Sequence, residues 1–229
     1  MTTPLIIVEA DIPPLTFDVP ESFFTLPLAA EPEARAALSD TFVRDLYSHG
    51  DEALWTPAAP YYAALAEQLA LTGLSYSALG LFSTEDGGVV QCAFTVAAVE
   101  TDHADPETAA HGILVALSRD PRHDARWMDL PCGPAVSCVT MREVTLSPEL
   151  TADHTEKQLL TGQIQVHVPF PTGPYTAVFT LHTASTEYWN EFCDGTVAIL
   201  QTVSFPALGN GTDSAGHGNG GADEPTLGN

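Results

Sequence analysis

Between residues 89 and 99 the side chains alternate in character. Val90, Cys92, Phe94 and Val96 point one way, and Gln91, Ala93 and Thr95 the other. An extended backbone turns successive side chains to opposite faces, so this period of two describes a strand with one well-covered face. The run before it, residues 74–82, is apolar and strand-like, and Glu85-Asp86-Gly87-Gly88 between them has the chemistry of a tight turn. The two runs therefore form a hairpin. A chain built on such a hairpin has to extend it into a sheet and cover the apolar face.

The cover is found in segments of helical period. One begins at Pro32, carries Ala34, Leu38, Phe42 and Leu46 as its stripe, and stops at Gly50. A second spans residues 57–72, with Tyr61, Leu65 and Leu69 as its stripe and Gly73 as its stop. Asp105 caps a third, with Pro106 at its first position and Ala109, Ala110, Ile113, Leu114 and Leu117 as its stripe. The last starts at Ser185 or Thr186, with Glu187 in the first turn, and its apolar positions run from Tyr188 and Trp189 through Phe192 to Ile199 and Leu200. Further strands are expected at 126–130 and 135–146, joined by Pro131-Cys132-Gly133-Pro134. Another pair is expected at 158–168 and 175–182, joined by a proline-rich turn, and a closing strand at 202–205. Short turns between successive strands make the sheet mostly antiparallel. The expectation is an α+β fold, six to seven strands flanked by helices, in a single domain over residues 1–205. Residues 206–229 are Gly-rich and acidic, have little apolar surface to offset ordering entropy, and read as a flexible tail.

Of 229 residues, 45% are hydrophobic and 16% charged, which excludes disorder for most of the chain. Asp and Glu number 30 against 7 Lys and Arg, for a net charge of −23. Nucleic acid and anionic membrane both need a basic footprint, so neither is an expected partner. The start of the chain has no basic segment followed by a long apolar run and no lipid-attachment cysteine. No stretch approaches the ~20 apolar residues that cross a bilayer. A cytoplasmic location is the expectation.

Few residues are arranged for chemistry. Cys92, Cys132, Cys138 and Cys193 form no C-x-x-C and read as reduced, partly buried thiols. Gly73-Leu74-Ser75-Tyr76-Ser77 approaches a nucleophile elbow but lacks the second glycine and follows a helix rather than a strand. With the proline turn closing near Val168 and Tyr175, His167 stands opposite Thr176, and His182 is too far along the neighbouring strand to share an ion with it. His103 and His111 straddle a helix start near Asp102 and Asp105, a spacing open to an accidental metal. No phosphate-cradling glycine motif is present. Acids are abundant enough that pairs such as Glu31 and Glu33 arise without catalytic meaning. No catalytic residues, metal or cofactor are expected. One cluster runs against the charge trend: Arg119, Arg122, His123, Arg126 and Trp127. Interleaved Asp120, Asp124 and Asp129 would neutralise it. Otherwise it forms a recognition patch, since Arg and Trp dominate interface energetics. Phe23, Phe24, Trp55 and Phe170 lie beside prolines outside the clear stripes. They either plug the ends of the sheet or form an exposed apolar patch.

Two stretches carry a family resemblance. One is Phe17-Asp18-Val19-Pro20-Glu21-Ser22-Phe23-Phe24-Thr25-Leu26-Pro27-Leu28, a short strand running into Val-Pro and a small aromatic loop. The other joins the strand from Tyr175 to Thr183, the acidic-aromatic Glu187-Tyr188-Trp189-Asn190-Glu191-Phe192, and a closing Val203-Ser204-Phe205. Together they resemble the Mog/PsbP-like fold, especially its actinobacterial LpqN-type members, over residues 16–205. The resemblance implies an α/β/α sandwich used as a binding scaffold and supplies no catalytic residues. Its members include a small-GTPase-binding protein, photosystem accessory subunits and chaperones of bacterial secretion effectors. The function expected is therefore non-catalytic binding of another protein, as a chaperone or accessory factor of a bacterial secretion or injection apparatus. An immunity-type protein against a basic toxin and a hydrolase are the alternatives. The candidate partner-binding residues are Arg119, Arg122, His123, Arg126, Trp127 and Phe170.

Overall fold

A computed structural model describes residues 5–6 and 12–206. Apart from Pro206, the segment read as a tail lies outside the described residues. Strands β1 (Leu5–Ile6) and β2 (Leu15–Thr16) form a small antiparallel pair. The main sheet contains β3 (Phe23–Thr25), β4 (Leu74–Ser83), β5 (Val89–Glu100), β6 (Asp124–Leu130), β7 (Gly133–Leu146), β8 (Lys157–Pro169) and β9 (Tyr175–Thr183). Its order is β3-β4-β5-β9-β8-β7-β6, antiparallel at every junction. The four α-helices among the described residues are α1 (Pro32–Leu46), α2 (Glu52–Leu71), α3 (Pro106–Leu117) and α4 (Trp189–Leu200). The α+β class read from the sequence is the class observed.

The two faces of the sheet are covered differently. On the first face Phe94, Val96, Phe179, Leu181 and Val166 meet Phe192, Ile199 and Leu200 of α4, together with Leu15, Phe17 and Val19 from the N-terminal segment. Phe17 lies edge-on to Tyr76, Phe94 and Phe179, with centroids 5.2, 6.2 and 5.5 Å away. Complete burial of such a side chain contributes about 1.5–3 kcal/mol, so this layer is the principal source of stability. Gly162 of β8 faces the same way. A Cβ there would stand 2.3 Å from Cζ3 of Trp189, so the start of α4 sits on β8 only because that position has no side chain. On the second face α1 and α2 pack over β3 and β4 around Leu26, Phe42 and Val43, while α3 packs against β6, β7 and β8.

Several sequence expectations change in detail. The buried stripe of α1 is Arg35, Ser39, Phe42 and Val43, and Leu38 is half exposed. The helix is rolled so that Arg35 can donate from Nη1 to the carbonyls of Ala29 and Ala30 at 2.8 and 3.1 Å and reach Glu67 at 3.2 Å. Helix α2 starts at Glu52, five residues before the expected start, because Asp51 accepts from the amide of Ala53; Pro57 and Pro60 lie inside it. The outward side of α2 carries Tyr61, which is exposed. The aromatic loop after Val-Pro contains an edge strand, β3. A 3₁₀ turn, Thr186–Tyr188, precedes α4. Instead of a closing strand, Ser204 makes an isolated bridge with Thr16.

One feature projects from the sheet. β7 pairs with β6 only over Gly133–Val139, and β8 with β9 only over Gly162–Pro169. Residues 142–146 and 157–161 therefore pair only with each other, as a two-stranded ribbon.

Candidate functional site

The structure separates the candidate cluster rather than assembling it. Arg122 binds Asp120 through Nε and Nη2 at 3.0 and 2.6 Å, and Arg126 binds Asp124 in the same way at 2.8 and 2.7 Å. Those hydrogen bonds hold both carboxyls below the usual carboxylate range and raise both guanidiniums. His123 stands 3.9 Å from Asp120. Trp127 donates to Asp129 at 2.9 Å, and its ring stacks on His111 of α3 with centroids 4.5 Å apart. Arg126 and Trp127 are successive residues of a strand and face opposite sides of the sheet. Arg119 follows α3 on the exposed surface. Arg122 and Arg126 are thus neutralised locally, Arg122 and His123 stand at one carboxylate, and the opposite facing of Arg126 and Trp127 keeps the five side chains from forming one surface. Phe170 is corrected outright: it is 1% exposed, packed against Phe205 and Tyr175 within the main core, and unavailable to a partner.

The other sequence candidates are also placed. His103 bonds Thr101 through Nδ1 at 2.8 Å and lies 3.4 Å from the carbonyl of Phe170, while His111 stacks on Trp127. Asp105 is occupied in capping α3, accepting from the amide of Thr108 at 2.7 Å. His167 pairs with Val178, not Thr176, because the ladder continues to Pro169–Thr176 before the turn. His182 pairs with Gln163 and remains four positions from the level of His167. Cys92 and Cys138 are buried, Cys132 and Cys193 partly so, and burial pushes the Cys92 thiol up to about 12. The hydroxyl of Ser75 is buried with no hydrogen-bond partner, hence with no base to activate it.

A site that sequence reasoning missed lies at the other end of the molecule. The β4–β5 turn, the loop before β3 and the start of α4 enclose a cleft of about 550 Å³. Its apolar wall is aromatic. Phe23 and Phe82 meet edge-on at 5.6 Å, and Phe82 and Phe192 at 5.9 Å. Gly80 permits this close packing, since a Cβ there would lie 2.7 Å from the Cys92 sulfur and 3.0 Å from both Phe23 and Phe82. Glu85, Asp86 and Glu191 line the cleft, and among the described residues no Lys, Arg or His does. The Thr84 hydroxyl and the Gly88 amide donate to Asp86 and keep its carboxyl below the usual range, so it is charged at neutral pH. The signal in the sequence was the pairing of acids with aromatics on both sides of the cleft: Phe82 ahead of Glu85-Asp86, and Glu191 beside Phe192.

Fold and cleft together define an antiparallel α+β sandwich with an open, acid-rimmed cleft. Among the described residues no helix is long and apolar enough to cross a membrane. No protein-family model and no curated protein matches the chain. Among solved structures, the crystal structure of LpqN, involved in cell envelope biogenesis of Mycobacterium tuberculosis, aligns with 90% of this chain and 91% of its own at 12% identity and a TM-score of 0.39.

Proposed function

We propose that this chain is a non-catalytic scaffold that holds another protein, and that the cleft beside α4 receives a segment of that partner carrying both basic and apolar side chains. The supporting observation is the lining: an aromatic wall with three carboxylates and, among the described residues, no cation beside them. A Leu or Phe of the partner gains by leaving water against Phe23, Phe82 and Phe192, while a neighbouring Lys or Arg meets Glu85, Asp86 or Glu191. The net charge of −23 draws such a segment in from a distance. A chaperone or accessory factor of a bacterial secretion or injection apparatus would use the cleft in this way. The same charge favours a second reading, an immunity-type protein that neutralises a basic toxin.

The test uses two labelled peptides of equal length, one alternating Lys with Leu and Phe, the other alternating Glu with the same residues. Fluorescence anisotropy is expected to show saturable binding of the basic peptide, weakening as salt rises, and none of the acidic one. Reversing the rim with Glu85→Lys and Glu191→Lys, both exposed positions, should abolish it. Equal binding of the two peptides, or binding indifferent to the reversal, would overturn the reading.

A further inference from the structure

Among the described residues, the helices on the second face leave the centre of the sheet open. α1 and α2 stand over β3 and β4, and α3 stands over β6, β7 and β8. Between them, above β5, β9 and the near side of β8, runs an open trough of about 550 Å³. One wall is Ile113, Ala116 and Leu117 of α3. The far end is closed by Leu74, where α2 gives way to β4.

The floor is unusual for the middle of a sheet. Thr95 of β5, Thr180 of β9, and Gln165 and His167 of β8 all face upward, and Ala97 and Val178 lie among them; Thr176 of β9 faces the same way but is 1% exposed, its hydroxyl engaged with that of Thr101 at 2.9 Å. Among the described residues no Asp, Glu, Lys or Arg lines the trough, although the chain contains 37 such residues, from 30 acidic and 7 basic. The imidazole lies 3.3 Å from Oε1 of Gln165. With the proton on Nε2 it donates to that oxygen, and Nδ1 is left as an acceptor. Burial pushes the ring down to about 4, so it is uncharged at neutral pH. Hydroxyls, an amide and a neutral imidazole can each exchange hydrogen bonds with a small polar group, but none can compensate a full charge taken out of water.

We infer that the trough is a binding site for an uncharged molecule with a rigid apolar body and a hydroxyl, the body lying along α3 and the hydroxyl meeting the Thr, Gln and His floor. Its volume falls within the ordinary range of small-molecule pockets, and an apolar lining with a few convergent polar groups is their usual composition. This site lies on the opposite face of the sheet from the acid-rimmed cleft and does not rest on the reading given to that cleft. Selectivity comes from the missing charges: a carboxylate of the same shape would be desolvated with no cation to meet it.

Two probes with one body separate the cases. 4-Phenylphenol and biphenyl-4-carboxylate are titrated into the full chain at pH 7 and followed by NMR at the His167 ring and the methyls of Thr95, Thr176 and Thr180. The phenol is expected to bind saturably, at least about tenfold tighter than the carboxylate, and to move those signals. Ala116→Trp, at an exposed position of α3, fills the trough without entering either core and should remove the binding, with circular dichroism confirming an unchanged fold. Equal affinity for the two probes, phenol binding undiminished in Ala116→Trp, or no saturable binding of the phenol would each overturn the inference.

Discussion

Phe94 and Thr95 are neighbours in β5, yet they live under different physics. Phe94 is 0% exposed and lies within 6.3 Å, centroid to centroid, of four rings: Phe17, Phe23, Tyr76 and Phe179. Thr95 looks out onto the open trough. The difference repeats along β9, where Phe179 and Leu181 are buried while Thr180 stands between them on the open side. One face of the central strands thus carries most of the stability. The other, with no helix above it, is free to hold polar groups that a closed core would have to satisfy internally.

Substitutions can break or sharpen this contrast. The largest effect is expected for Phe94→Ala, which removes a ring from the centre of the aromatic group and should cost about 3–5 kcal/mol in urea unfolding. Thr95→Val, one residue away, should stay within about 0.5 kcal/mol. Similar losses for both would erase the distinction between the faces.

The next effect belongs to the open face. His167 has its ring pushed down to about 4 from an ordinary 6.5. Above pH 6.5 both folded and unfolded chains hold the ring neutral, and it confers no pH dependence. As pH falls from about 6.5 towards 4, the unfolded chain binds a proton that the folded one does not, so stability declines by at most about 1.4 kcal/mol per pH unit. His167→Gln should flatten that limb of the stability profile. An unaltered slope would mean that the ring titrates normally, as a solvated side chain does.

The smallest of the three is Gly162→Ala. The new methyl must displace Trp189, at a cost of about 1–3 kcal/mol and with a change in tryptophan emission. Adding Trp189→Leu should recover part of the loss, and failure to do so would place the strain elsewhere on the first face.

Local chemistry was readable where local chemistry decides. The acidic diglycine turn between β4 and β5, the Asp105-Pro106 start of α3 and the proline-rich turn before β9 all announce themselves, because a few adjacent residues fix the backbone there. The α+β class followed from them. What distance decides was hidden. Nothing in β5 names β9 as its neighbour in place of a sequential strand. The roll of α1 depends on Arg35 finding the carbonyls of Ala29 and Ala30 and the carboxylate of Glu67, so a buried arginine outweighed Leu38 in setting the inner stripe. The cleft combines side chains from β3, the β4–β5 turn and α4, with about 60 residues of chain from Phe23 to Phe82 and about 110 from Phe82 to Phe192. The cluster from Arg119 to Trp127, contiguous in sequence, was by contrast easy to see; it divides at Arg126 and Trp127, because β6 sends its successive side chains to opposite sides.

The chain's only lysine, Lys157, sits at the outer end of the projecting ribbon, opposite Leu146 and bridged to Asp153 at 2.8 Å. Among the side chains of this sequence an amine-reactive reagent therefore has one target, that tip. With α-amines capped beforehand, a fluorophore or a bead linker will attach at one defined place. The molecule then hangs by its ribbon like a lantern from a hook.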